Sequence, residues 1–273
     1  MNRIIPFFIA LFTVPALAED APVDVELMLA VDVSYSMGPM ELELQRRGYA
    51  EALTSPEVIQ AIKTGYYQKV ALTYVEWSGT YDHRVIRDWT LIEDEGDLAA
   101  FADGLTARFD DSLRRTSISG LMDYAPLDFR TNGFQGERRV IDISGDGPNN
   151  MGRPVTAARD ELVAEGFVIN GLPLMTKDLE RDNPFFDLAD LDLYYQSCVI
   201  GGPLSFMVPV NSWKEFPAAV RRKLVLELAG RLPQPNVIPA AWVGQIETGY
   251  DCLIGEKIWE EFLRRNPAFQ GFP

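Results

Sequence analysis

From Val23 to Val31 the chain is a near-continuous apolar run. It stops abruptly at Asp32-Val33-Ser34-Tyr35-Ser36, an aspartate followed by two serines spaced two apart. Apolar residues at both odd and even positions mark a strand buried on both faces, and such strands belong to parallel sheets covered by helices on each side. A strand of this kind delivers one carboxylate and two hydroxyls to the rim of its sheet. These are hard oxygen donors, suited to Mg2+, Ca2+ or Mn2+ and not to soft metals. Taken alone, Asp-x-Ser-x-Ser is equally well read as a strand end whose serine caps the next helix.

The remainder alternates strand and helix. Helical spacing runs over Met40–Leu53, with Leu42, Tyr49 and Leu53 on one side. Gln68–Trp77 and Arg84–Trp89 read as strands, and Gly79 between them predicts a hairpin, so the second is an antiparallel edge. Helices are predicted over Asp94–Leu105 and Ser119–Phe129, then a strand over Arg138–Ser144. A helix over Val155–Glu165 stops at Gly166, a residue type that favours helix C-termini. Phe167–Leu172 is a strand, Asp187–Tyr195 a short helix, Ser205–Val210 a last strand and Trp213–Ala229 an amphipathic helix ending at Gly230. The fold class is therefore α/β: a doubly wound, mostly parallel sheet with one antiparallel edge strand and helices on both faces. No internal repeat or low-complexity tract interrupts it.

Three segments are expected. Residues 1–18 read as a signal peptide, with Arg3 as the basic flank, Ile4–Leu17 as the apolar stretch and Ala16-Leu17-Ala18 as the small-x-small cleavage site. Pro6 and Pro15 interrupt a stretch already short for a membrane span. Residues 19–230 form the α/β domain. Residues 231–273 form a C-terminal extension packed on it, with Pro233, Pro235 and Pro239 as a rigid connector and one short helix over Ile254–Leu263. The expected location is periplasmic or secreted, with no membrane span after cleavage.

Removing the leader, which holds one Arg and no acid, leaves 24 basic against 40 acidic residues, a net charge of −16. Phosphate binding needs clustered Lys and Arg, so this acidity argues against nucleic acid and anionic membrane as partners. Cys198 and Cys252 are the only cysteines. An exported chain meets an oxidising compartment, so a disulfide between them is expected, two free thiols being the alternative. That bridge would staple the extension to the segment before the last strand.

Two further loops carry oxygen donors where a metal needs them. Arg115-Thr116-Ser117-Ile118-Ser119-Gly120 enters a helix, and Ser144-Gly145-Asp146-Gly147 leaves a strand. In doubly wound sheets, ligands bind outside the carboxyl ends of the strands where strand order reverses. Together these pieces resemble the metal-ion-dependent adhesion site of von Willebrand factor A domains. By that resemblance Asp32, Ser34 and Ser36 match the first element, Thr116 the threonine of the second loop, and Asp146 with Gly147 the third. Ser117 and Ser119 lie close enough to compete for the Thr116 role, and Arg114 and Arg115 stand where that family commonly has two glycines. The chain is also similar to exported bacterial proteins of that clan that share the Ser144–Asn150 run Ser-Gly-Asp-Gly-Pro-Asn-Asn.

The resemblance implies Ser34, Ser36 and Thr116 directly on a divalent cation, Mg2+ first with Mn2+ or Ca2+ as alternatives. Asp32 and Asp146 would act partly through water. Few direct carboxylates leave the ion short of negative charge, and one position stays open for a carboxylate offered by a protein or other macromolecule. The expected function is thus cation-dependent protein binding. The alternatives are an interaction protein with a structural or vestigial metal, and a metal-dependent hydrolase. Oligomeric state is not legible.

Other chemistries fit poorly. Asp142–Gly147 satisfies the first six positions of an EF-hand loop, but its twelfth position is Arg153 rather than a glutamate. Position 34 is a serine, so Asp32 lacks the second aspartate of a haloacid-dehalogenase-type phosphatase. His83 is the only histidine and falls in the expected hairpin turn, so a serine hydrolase lacks its base. Gly145-x-Gly147 lacks the third glycine of a nucleotide loop. Trp77, Trp89 and Trp213 read as core, and Tyr194-Tyr195 as packing near Cys198. The tail around Trp242, Tyr250 and Trp259 reads as a cover over apolar surface of the domain. The cleavage-site reading predicts a mature N-terminus at Glu19, and intact-mass measurement of the exported protein checks it.

Overall fold

The computed structural model describes residues 20–107, 112–176, 187–229, 238–239 and 249–267. The expected signal peptide and most of the proline-rich connector, Pro233 and Pro235 included, lie outside the described residues. The strands are β1 Ala21–Asp32, β2 Val70–Trp77, β3 His83–Ile92, β4 Phe134–Gly145, β5 Phe167–Pro173, β6 Phe206–Met207 and β7 Ile238–Pro239. The helices are α1 Pro39–Leu53, α2 Pro56–Lys63, α3 Glu95–Thr106, α4 Ile118–Phe129, α5 Val155–Ala164, α6 Leu191–Tyr194, α7 Phe216–Ala229 and α8 Ile254–Arg265. A π-helical turn, Tyr195–Val199, continues α6.

The sheet order is β3-β2-β1-β4-β5-β6-β7. β1 pairs in parallel with β2 and β4, β4 with β5, and β5 with β6, while β3 is the antiparallel edge expected from the hairpin. The opposite edge carries a second antiparallel strand: Ile238 and Pro239 pair with Met207 and Phe206. The C-terminal extension therefore adds a strand where proline spacing suggested only a connector, and an edge is where a strand tolerates proline.

Local chemistry explains the helix ends. Pro39 and Pro56 each occupy a first turn, where a missing N–H costs nothing. The Gly38 N–H donates to Glu41 Oε2 at 2.8 Å, closing the start of α1. Asp94 and Asp97 cap α3 reciprocally, each carboxylate accepting the other's N–H. Gly166 takes φ 85° after α5, the left-handed conformation that ends helices cheaply in glycine.

The two faces of the sheet bury separate cores. In β1, Val25, Leu27, Leu29 and Val31 face α1, α2, α3 and α7, while Met28 and Ala30 face α4, α5 and the π-turn. The two acids inside the run are satisfied: Asp24 accepts from the N–H groups of Tyr67 and Lys69, and Glu26 from Gly136 N and Asn132 Nδ2. Trp77 is fully buried, and Trp213 stacks near Phe216 and donates to Glu41. His83 is not a solvated turn residue; it opens β3, half-buried, stacked 4.4 Å from the Tyr124 ring. The Cys198–Cys252 disulfide is formed. By loop entropy, closing its 54-residue separation stabilises the fold by about 4 kcal/mol. No helix among the described residues is long and apolar enough to cross a membrane.

One feature of α7 escapes periodicity. Lys223 and Glu227, one turn apart, are fully buried with Asp142 of β4. Lys223 Nζ lies 2.6 Å from Asp142 Oδ1 and also pairs with Glu227. Asn170 Nδ2 donates to Glu227 Oε1 at 2.9 Å. Burial, with Asp142 adding to it, pushes the Glu227 carboxyl up to about 7. One ammonium between two carboxylates is neutral only when one carboxyl holds a proton, and burying net charge is costly. Because folded Glu227 binds a proton more tightly than the unfolded chain does, its contribution to stability is greatest below about pH 4.5. It is lost as pH rises toward about 7. Glu227→Gln mimics the protonated form, so urea melts of this variant should show a flatter stability profile between pH 5 and 7.5. Lys223→Met should cost about 3–5 kcal/mol by leaving buried carboxylates unpaired.

Candidate metal centre

Strand order reverses between β1 and β4, because the chain leaves β1 toward β2 on one side and β4 toward β5 on the other. In register Val31 faces Ser144, so the two strands end side by side, at Asp32 and Gly145. All three predicted loops reach this point. Leu113 bridges to Ser34, its N–H donating to Val33 O at 2.7 Å. Ser117 N donates to Ser78 O at 2.6 Å beyond β2, which seats the start of α4.

Four of the five predicted donors are joined side chain to side chain or through one main-chain bond. Asp32 is fully buried and its Oδ1 accepts from Ser34 N at 2.7 Å. Ser34 Oγ and Ser36 Oγ are 3.0 Å apart, and Ser36 Oγ donates to Asp146 Oδ1 at 2.8 Å. Asp146 is 4% exposed, whereas Ser36 lies at the surface. Thr116, 6% exposed, is tied instead to Asn150, in the loop that follows Asp146. Its N–H donates to Asn150 Oδ1 at 3.1 Å, and its carbonyl accepts from Asn150 N at 2.8 Å. The rival hydroxyls are spoken for: Ser117 Oγ caps Gly120 N, and both Ser117 and Ser119 donate to the Met151 carbonyl.

Carboxylate and hydroxyl oxygens suit a hard divalent cation, and hydrogen bonds of 3.0 and 2.8 Å bring Ser34 Oγ, Ser36 Oγ and Asp146 Oδ1 together. Among the described residues no three His, Cys, Asp or Glu side chains cluster as a metal site. The group joined here is instead two carboxylates and two hydroxyls.

Several residues at the site were not legible in the sequence. The Tyr195 ring, taken as packing, brings its hydroxyl here: a methyl added at Gly145 would lie 2.8 Å from Tyr195 Oη and 3.0 Å from Asp32 Oδ2. Burial, then the Asp32 carboxylate, holds the Tyr195 hydroxyl well above its ordinary range, so it stays protonated as a donor. Asn149 is fully buried, donates through its N–H to Tyr194 Oη at 3.0 Å, and accepts from Ser119 N at 3.0 Å. Gln45 of α1 donates to the Asp32 carbonyl at 3.0 Å. The Ser144–Asn150 run was the only signal that could have found Asn149.

A doubly wound sheet with this strand order has a von Willebrand A-like fold. More particularly, the chain belongs to the family described as protein of unknown function (DUF1194), which matches residues 22–232. No curated protein matches it. Among solved structures, proximal thread matrix protein 1 (PTMP1) from the mussel byssus is similar, with a TM-score of 0.54 and 16% identity over 78% of this chain and 49% of that one. A further structure of PTMP1 has a zinc-occupied MIDAS motif. The von Willebrand factor type A protein from Catenulispora acidiphila has a TM-score of 0.52 and 13% identity over 76% of this chain and 43% of that one. The pilus adhesin SpaC from Lactobacillus rhamnosus GG, in an open conformation, has a TM-score of 0.53 and 14% identity over 77% and 31%. At these identities the likeness is one of fold, and the chain spans about half or less of each of these proteins.

Gly145→Ala should destabilise the fold by about 1–3 kcal/mol, because the methyl overpacks the β4 terminus. Adding Tyr195→Phe should recover part of that loss by removing the clashing hydroxyl. A double-mutant cycle from urea melts measures the coupling.

Proposed function

We propose that this chain is an exported interaction protein that captures an acidic group of a partner through a divalent cation. Asp32, Ser34, Ser36, Thr116 and Asp146 would hold the cation, with Mg2+ the first choice and Mn2+ or Ca2+ as alternatives. Residues 19–230 would be the binding domain and 231–273 an extension of it. The observation that carries this reading is the convergence of Ser34 Oγ, Ser36 Oγ and Asp146 Oδ1 beside buried Asp32, at the strand-order reversal. When bound, the cation supplies positive charge between two buried carboxylates, where it is worth more than in water.

The hydroxyl-rich donor set supports recognition over catalysis. Hydroxyls bring no charge of their own, so an ion held by them keeps affinity for a carboxylate from outside. His83, the only histidine, is stacked on Tyr124 in β3, and the Tyr195 hydroxyl is held protonated. PTMP1 and SpaC, named as a thread matrix protein and a pilus adhesin, support the same direction by analogy of fold. Export is supported by the Cys198–Cys252 bridge, since such bonds persist in oxidising compartments.

Thermal melting with increasing Mn2+ or Mg2+ tests the site. The wild type should gain about 2.7 kcal/mol at a hundredfold excess over Kd, while Asp32→Ala and Ser36→Ala should lose most of that gain. Equal melting with and without metal in the wild type would sink the proposal. A partner crosslinked to the full chain in the exported compartment should dissociate with chelator and rebind with Mg2+. A partner that stays bound would mark the metal as structural.

A further inference from the structure

The loops of the oxygen-donor group are contacted by a helix that supplies none of the donors and begins beyond the family-matched region, which ends at residue 232. At the start of α8, Gly255 packs so closely that an added methyl would lie 2.1 Å from the Asn149 carbonyl oxygen and 3.0 Å from Pro148 Cβ. Glu256 Oε1 accepts from Asn149 Nδ2 at 2.8 Å. One turn on, the Trp259 ring lies under the Arg115 guanidinium, 3.5 Å from centroid to Cζ. Thus α8 grips both the loop that carries Asp146 and the loop that carries Thr116.

Arg115 is the residue immediately before Thr116, and its φ of 73° is in the left-handed region that favours glycine. An arginine persists there only where its surroundings compensate for the strain. Stacking over an indole is such a compensation, since the ring face attracts the cation. The grip is also pre-assembled. Cys252 is bonded to Cys198 in the π-turn, and Tyr250 packs edge-on against Tyr194. The bridge lies two residues before α8, so it shortens the covalent connection between α8 and the domain and raises the effective concentration of the docked helix.

We propose that α8 is a disulfide-tethered positioning element of the donor site, in which Trp259 holds Arg115, and through it the Thr116 main chain, while Glu256 holds Asn149. Asn150 pairs reciprocally with the Thr116 main chain, so both grips act on one rigid pair of loops. The affinity consequence rests on the metal reading of the site; the ordering of the loops does not.

The test uses the full chain and Mn2+ as the probe, with calorimetric titration and amide hydrogen exchange measured in parallel. Trp259→Ala should weaken Mn2+ binding about tenfold, the scale on which outer partners of metal ligands act. Trp259→Phe, which keeps a ring under the guanidinium, should retain wild-type affinity. In an Arg115→Gly background, where the left-handed backbone is relaxed, Trp259→Ala should have little further effect. Without metal, Trp259→Ala should speed exchange at residues 113–117 and 147–151 while β1 and β2 stay protected, which separates loop release from global unfolding. Unchanged Mn2+ affinity in Trp259→Ala, or an undiminished loss in the Arg115→Gly background, would overturn the proposal. If the wild type binds no Mn2+, the metal reading fails, and the exchange result alone decides: faster loop exchange supports the brace, and unchanged exchange refutes it.

Discussion

Everything at the candidate site depends on two doubly buried strands ending together while the chain leaves them in opposite directions. β1 and β4 finish at Asp32 and Gly145, in register, on either side of the reversal in strand order. Strand ends in an apolar core expose main-chain groups that need partners. Here the partners are local. Asp32 turns its carboxylate onto Ser34 N, Gln45 reaches the Asp32 carbonyl, and Ser36 crosses to Asp146. The same bonds that close the strand ends gather oxygen donors at one point. Capping and candidate ligation are therefore two uses of one arrangement.

β4 also shows two ways of keeping carboxylates inside a sheet. Its residues alternate between the faces: Ile141 and Ile143 fill the α4 and α5 side, while Asp142 meets Lys223 and Glu227 of α7 on the other. That buried trio is a closed device, neutralised from within by a lysine and by a proton. Asp146, a few residues further, stands at the rim beside exposed Ser36. Depth separates the two roles. A carboxylate far below the rim needs its counter-charge from the chain, and one at the rim can take it from solution.

Legibility followed the range of the deciding interaction. β1, the β2–β3 hairpin and the α5–Gly166 stop were readable because periodicity and a single turn residue settle them within a few positions. The last strand was read as Ser205–Val210 but is two residues long, with only a bridge from Val210 to Leu174 beyond it. Its length is set by its neighbours, the ends of β5 and the two residues of β7, and not by its own composition. α2 was missed because eight residues show too little period, and Pro56 reads as a breaker until its place in a first turn is known. His83 was misplaced because the hairpin is tighter than its glycine suggested, which puts the imidazole in β3.

The sequence by itself determined the α/β alternation, the placing of oxygen-bearing residues in the loops at Asp32, Thr116 and Asp146, and the pairing of its only two cysteines, since each of these follows from residue type and local spacing. Tertiary structure alone decided what supports them. Ser36 and Asp146 meet across 110 residues, and Asn149 and Glu256 across 107. Tyr195 arrives beside Asp32 from a π-turn, and Trp259 reaches Arg115 from a helix after the family-matched region. Such meetings depend on strand register and helix docking, which sum many weak contacts over the whole chain, and no local pattern of residues encodes that sum.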